Sequence, residues 1–426
     1  MEPIWVLVST FSFFLVIGLP IAFCLATSSL LTAIAMGIPP LIVAQRIARG
    51  VQSVPLIAIP LFVLAGSIMA KGGIAKRIVD FAYILVGPFK GGLAMVNCVQ
   101  SMFFGGVSGS AIADISSTGP IMIPMMVEKG YDREFATAIT VASSTQGIII
   151  PPSHNMIIFA MAAGGVSIAD LFLAGYIPGI MVGLSLMITS YFIAIKRGYP
   201  REQRPSFKES VQITKDGLLS LLAAVIIVGG IAFGIFTATE ASAIAVLYAA
   251  FLGIFIYKEI TFKDLFPIVV ESVKTICTVL FLIGAASAFG WIITYLQVPA
   301  LVTNFFLSLT TNRIIIFLLI NVLLILLGMV MDVAPLIVIV TPVLLPVVQS
   351  LGMSSVTFAV VLLLNLGIGL TTPPVGTGLF VGCSVGKTTM EKTAKSTMIL
   401  WPGMILVVLL VTFIPALTTF LPNLFN

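Results

Sequence analysis

Three short stretches carry most of the chemistry available to this otherwise apolar chain. Gly106-Val107-Ser108-Gly109 matches the Gly-x-Ser-Gly of a serine nucleophile, and His154, the single histidine, could serve as its base. On that reading the chain is an intramembrane serine protease. The stretch from Thr145 to Asn155 reads Thr-Gln-Gly-Ile-Ile-Ile-Pro-Pro-Ser-His-Asn. Proline lacks a backbone N–H and disfavours helix at the residue before it, so two in a row leave carbonyl oxygens unpaired. Such oxygens are hard ligands that suit a cation. The third feature is Asp332, alone in the uncharged run that follows Arg313. A carboxylate at membrane depth costs at least ~2.5 kcal/mol even on insertion scales, so a functional role is the first reading.

The elements that position these groups must be membrane helices. The 426 residues are 59% hydrophobic and 9% charged, with a mean hydropathy of +1.19. Soluble domains carry about 25% charged residues, so the composition is that of an all-α polytopic membrane protein. Uncharged runs at 4–36, 276–303 and 396–420 exceed the ~20 residues that span a bilayer. Met-Glu-Pro at the N-terminus lacks the basic region of a cleavable signal peptide, so the first run is expected to be a retained helix. The net charge of +5 sits in short loops and orients helices; it gives no indication of a nucleic-acid partner. Cys24, Cys98, Cys277 and Cys383 lack ligand spacing and are read as small core residues.

The chain repeats itself. Shifted by 222 residues, Gly106 meets Gly328, Pro120 meets Pro342, Pro124 meets Pro346, Gly147 meets Gly369, and Pro151-Pro152 meets Pro373-Pro374. After a two-residue insertion Pro178-Gly179 meets Pro402-Gly403. Six helix-breaker matches at one offset point to architecture. Each repeat is expected to hold a re-entrant hairpin and a broken helix. The first repeat, 1–195, places them at about 92–127 and 134–166. The second, 217–426, places them at about 313–349 and 354–386. Irregular backbone at membrane depth is tolerated only where protein buries it or a polar cavity receives it. Paired interruptions in two halves are the best sequence pointer to a transporter's binding site. The protease reading leaves the repeat unexplained, and no phosphate-binding loop is present.

Loop charges indicate that the repeats are inverted. The 196–216 linker holds Lys196, Arg197, Arg201, Arg204, Lys208 and Lys215. With 128–134 and 387–395 it is cytoplasmic by the positive-inside rule, which puts equivalent loops on opposite sides. Lys71, Lys76 and Arg77 fit poorly, since a count of crossings puts them outside. An interfacial helix would accommodate them.

With these residues in place, the chain resembles the large membrane subunit (DctM-like) of a tripartite ATP-independent periplasmic, or TRAP, transporter. The resemblance is carried over the whole chain by Gly234–Ala243 (Gly-Ile-Phe-Thr-Ala-Thr-Glu-Ala-Ser-Ala), Gly105–Asp114, Gln146–Pro152 and Gly367–Gly376. It implies a sodium-driven organic-anion importer working by an elevator motion in the bacterial inner membrane, with two or more sodium ions. It also implies a small four-helix membrane subunit, separate from this chain, and a periplasmic binding protein. Within the family the chain looks most like the sialic-acid branch, with C4-dicarboxylates and other sugar or keto acids as alternatives.

Each candidate has a plainer reading beside it. Ser108, Ser110, Ser153 and Asp332 are the candidates for substrate contact; for Ser108 and Ser110 the alternative is close helix packing through small residues. Ser108, Gly147, Ile150 and Pro152 in the first repeat, with Gly328, Met331, Gly369 and Thr372 in the second, are the candidates for sodium. A plain proline kink is the alternative at both breaks. Met331-Asp332 replaces Gly109-Ser110, so the two tips should differ in role. Asp114 is matched by Leu336 and could face the cytoplasm. Glu240, behind Thr237, reads as part of a helix cap.

Overall fold

A computed structural model describes residues 2–202, 206–310 and 312–425, and these are helical apart from turns and one isolated bridge between Lys90 and Arg201. Arg204 lies outside the described residues. The first hairpin pairs Gly92–Ser108 with Ala111–Glu128, and the second pairs Arg313–Gly328 with Val333–Ser350. The two returning arms correspond residue for residue under the 222-residue shift, and their internal prolines coincide. The first hairpin turns at Gly109, whose φ of 64° lies in the left-handed region that glycine enters without penalty.

In the first broken helix, Arg133–Ser144 tightens into a 3-10 turn over Thr145–Ile148 and restarts as His154–Ala162. In the second, Ser355–Leu370 restarts as Thr377–Gly386. The Pro151-Pro152 and Pro373-Pro374 peptide bonds are both cis. At 1.5 Å per residue each restart helix covers only about half of the ~30 Å hydrocarbon core. Residues 135–153 and 357–372 are all buried, so protein encloses nearly all of the irregular backbone. Only Pro374 and Val375 of the second break reach the surface.

The repeats interlock. His154–Ala162 packs on the returning arm of the second hairpin, and Thr377–Gly386 packs on that of the first. The breaks cross where a methyl group on Gly367 would lie 3.4 Å from the Thr145 Cβ. Around this body stands a second set of helices, with Ala58–Lys71 packed against both Ala238–Phe251 and Phe262–Tyr295. Glu240 caps Ala238–Phe251 in a reciprocal box with Thr237.

The charged segments gather on one face. Asp132 accepts from Arg197 and Tyr199, both at 2.7 Å, and Lys129 pairs with Glu202 at 3.3 Å. Arg133 donates to the Gly386 carbonyl at 3.1 Å. The linker, the loop after the first hairpin and the start of the 387–395 segment therefore share a side. The Lys71–Arg77 turn belongs there too. Arg77 pairs with Glu259 and stacks 3.8 Å from the Tyr257 ring, while Tyr257 donates to the Asp216 carbonyl. At the far end of Ile74–Val86, the Glu202 N–H donates to the Gly87 carbonyl. Both ends of that helix meet linker-side groups, so it lies along the membrane surface and the crossing count is corrected. One cysteine also departs from expectation: Cys24, Cys98 and Cys383 are buried, but Cys277 is exposed.

Candidate substrate and cation site

Between the two bodies lies a cavity of about 740 Å³ that receives both hairpin tips. Ser108 and Ser110 reach it from the first tip and Asp332 from the second. Ile148, His154 and Asn155 line it from the first break, and Leu370 from the second. The surrounding helices contribute Ser67 and Lys71 from one and Glu271 and Thr275 from another. Its size falls within the ~300–1,000 Å³ of small-molecule sites.

Local chemistry fixes each tip. Ser110 caps the returning arm by accepting from the Ala113 N–H at 3.3 Å, and Ser108 donates to the Ser110 carbonyl at 3.4 Å. Asp332 occupies the equivalent cap position but makes no side-chain cap bond. Its Oδ1 accepts instead from Thr377 Oγ1 at 3.2 Å. In the first repeat Asn155 Nδ2 donates to the Gly109 carbonyl at 3.3 Å. Asn155 and Thr377 are equivalent under the 222-residue shift. Each restart helix thus begins with a polar side chain that ties its break to its own hairpin tip.

The candidate cation ligands lie deeper, where hairpin and break touch through glycine. A methyl group on Gly105 would lie 2.6 Å from Gly147 Cα, and one on Gly369 would lie 2.5 Å from Gly328 Cα. Pro152 presents its carbonyl to Gly109, at 2.9 Å from a methyl built there. In the second repeat the Val375 and Gly376 N–H groups donate to the Met329 carbonyl, and Gly376 approaches the Thr372 carbonyl. Gly147 and Pro152 therefore gather at the first tip, and Gly328, Gly369 and Thr372 at the second. Met331 is half-buried beside them. Ile150 lines a smaller cavity of about 370 Å³ with Met102, Tyr176 and Leu221. Ser153 is fully buried, donates to the Ile148 carbonyl at 2.8 Å and is not among the residues lining the main cavity.

Two expectations are corrected. Asp114 does not face the cytoplasm; it is fully buried inside the first hairpin and accepts from Thr118 at 3.0 Å. Ser108 and His154 share the cavity wall without forming a nucleophile–base pair: Ser108 Oγ bonds Ser110, and His154 Nδ1 has no partner among the described residues. The sequence reading missed Asn155, Thr377, Lys71, Glu271, Ser67, Ser116 and Ser117. A polar residue just after each Pro-Pro pair was the signal for the first two.

Two helix hairpins and two broken helices around a cavity into which both hairpin tips reach have the arrangement of a secondary transporter. The chain belongs to the DctM component family of tripartite ATP-independent periplasmic transporters, whose model matches residues 8–417. It is 42% identical to the uncharacterized protein YgiK of Salmonella typhimurium over 99% of this chain and 98% of that one. It is 38% identical to the isethionate TRAP transporter permease protein DctMQ of Oleidesulfovibrio alaskensis, covering 98% of this chain and 66% of that longer one. It is also 38% identical to the sialic acid TRAP transporter large permease protein SiaM of Vibrio cholerae, over 96% of each. Among solved structures, the YdaH transporter of Alcanivorax borkumensis shares the fold, with a TM-score of 0.56 over 82% of this chain and 85% of that one at 15% identity. The protein is thus a multi-pass TRAP permease and not an enzyme, and the protease reading falls. The family's transporters are tripartite, so its partners are a small membrane subunit and a periplasmic binding protein.

Proposed function

We propose that this chain is the large permease of a sodium-driven importer in the bacterial inner membrane, carrying a polyhydroxylated monocarboxylate such as N-acetylneuraminate. The observation that carries the reading is the makeup of the main cavity. Its walls offer Ser67, Ser108, Ser110, Ser116, Ser117 and Asn155 for hydroxyl and amide groups, but among the described residues Lys71 as the one lysine or arginine. A sugar acid matches many hydrogen-bonding groups and one cation. A C4-dicarboxylate brings a second charge with no second cationic side chain among the described lining residues to meet it. Equal identity to an isethionate and a sialic acid permease leaves cavity chemistry to decide between substrates.

Asp332 faces the same cavity, and a carboxylate beside an anion is repulsive, more so at low dielectric. Two or more sodium ions held by carbonyls at the breaks offset that charge, so anion and sodium bind together. The hairpins and breaks form the moving body, and Ala58–Lys71, Ala238–Phe251 and Phe262–Tyr295 form the fixed one. The cavity runs from the hairpin tips to Lys71 on the linker face, and on this reading it belongs to the state open to the cytoplasm. Uptake of labelled N-acetylneuraminate, isethionate and succinate into vesicles holding all three components tests the reading. It expects N-acetylneuraminate to be preferred, and succinate preference would refute it.

A further inference from the structure

Lys71 ends the helix Ala58–Lys71 and pairs with Glu271 of Phe262–Tyr295, and both side chains line the main cavity. Lys71 and Glu271 are 47% and 67% exposed, so the pair stands in water at the mouth of the cavity, on the linker face. Among the described lining residues the carboxylates Asp332 and Glu271 stand against Lys71, the one lysine or arginine there. An anion that leaves the hairpin tips for the cytoplasm passes this one ammonium on its way. We propose that Lys71 takes the carboxylate of the departing anion and that Glu271 competes for the same ammonium, so that exchange of partners at Lys71 sets how fast the anion is released. The proposal rests on the organic-anion reading above and adds a site to it.

Three physical points support the exchange. A water-exposed ion pair is worth little, because solvent screens it and two long side chains must be ordered to hold it, so Lys71 leaves Glu271 readily. A carboxylate held by other contacts in the cavity arrives already positioned, which favours it over the flexible glutamate while it is bound. Once the anion tilts outward that advantage is gone and Glu271 recovers its partner. Both residues stand on the surrounding helices and not on the hairpins. Lys71 therefore meets the anion only when the hairpins are on the cytoplasmic side, and acts on release without strengthening capture from outside.

Opposite effects of two neutral substitutions distinguish this exchange from a structural ion pair. The permease with its small subunit, in lipid nanodiscs with sodium, is titrated with N-acetylneuraminate, isethionate and succinate by calorimetry. For the anion that binds the unaltered protein, Lys71→Gln should weaken binding about five- to tenfold and Lys71→Arg should restore most of it. Glu271→Gln should tighten binding two- to fivefold and slow net uptake in vesicles. Two glutamine variants that both weaken binding would mark a structural pair and overturn the proposal, as would Lys71→Gln binding within twofold of the unaltered protein. If none of the three anions binds or is taken up by the unaltered protein, the organic-anion reading fails first and this proposal with it.

Discussion

Alanine at Gly369 should separate sodium binding from folding. A methyl group there would lie 2.5 Å from the Gly328 Cα and carbonyl carbon and 3.0 Å from the carbonyl oxygen. Unstrained carbon contacts lie at ~3.5–4.0 Å, so the second hairpin must retreat from its break by about 1 Å. These are backbone atoms, which no rotamer change can move aside. Overpacking of this kind costs about 1–3 kcal/mol of stability. Its larger effect falls on the ion, since the displaced segment carries carbonyls proposed to hold it. Losing one interaction with a charged group is worth about 1.5–3 kcal/mol, so half-saturating sodium should rise at least about tenfold. The assay is uptake in vesicles at graded external sodium. Gly290→Ala is the control, a helical position where a methyl group meets nothing within 4 Å. Unchanged sodium dependence in a correctly inserted Gly369→Ala protein would refute the placement of the ion beside this contact.

The equivalent contact makes Gly105→Ala an independent check: its methyl group would meet Gly147 backbone at 2.6 and 2.8 Å, and it should raise half-saturating sodium similarly. Asp332→Ala should cut apparent substrate affinity about tenfold, the scale of one charge-assisted hydrogen bond, whereas Asp332→Asn should keep partial uptake with normal sodium dependence. Equal sodium defects in both Asp332 variants would assign that carboxylate to the ion instead. Asn155→Ala and Thr377→Ala each untie a hairpin tip from its break and should lower the rate of uptake several-fold at normal expression. Asp132→Ala removes the acceptor of Arg197 and Tyr199, a loss of about 0.5–1.5 kcal/mol, and should speed tryptic cleavage after Arg197 about two- to tenfold.

Architecture was legible in this sequence because glycine and proline act through the backbone. Pro120 and Pro342 mark the same place in the two returning arms, and the two Pro-Pro pairs mark the same breaks, although the apolar residues around them differ. Asp332 was legible for a related reason: a lone carboxylate in an apolar run has no cheap place to sit. What the sequence concealed is direction. Nothing local distinguishes Ile150, which faces the smaller cavity, from Ile148, which faces the larger. Ser153 and Ser110 look alike in sequence, yet one donates inward to Ile148 and the other reaches the main cavity. Lys71 and Glu271 stand 200 positions apart, and only packing of their helices reveals a shared wall. The surface-lying Ile74–Val86 misled the crossing count because a count treats every helix as a span.

The central claim is that sodium entry drives this permease, and one measurement tests it most directly. The chain, its small subunit and its binding protein are reconstituted in vesicles, and labelled N-acetylneuraminate uptake is followed with equal outside salt as either sodium or potassium, without ATP. The account predicts concentrative uptake in sodium, collapsing to the leak rate in potassium or when an ionophore equalises sodium across the membrane. Concentrative uptake that persists without a sodium gradient would contradict it.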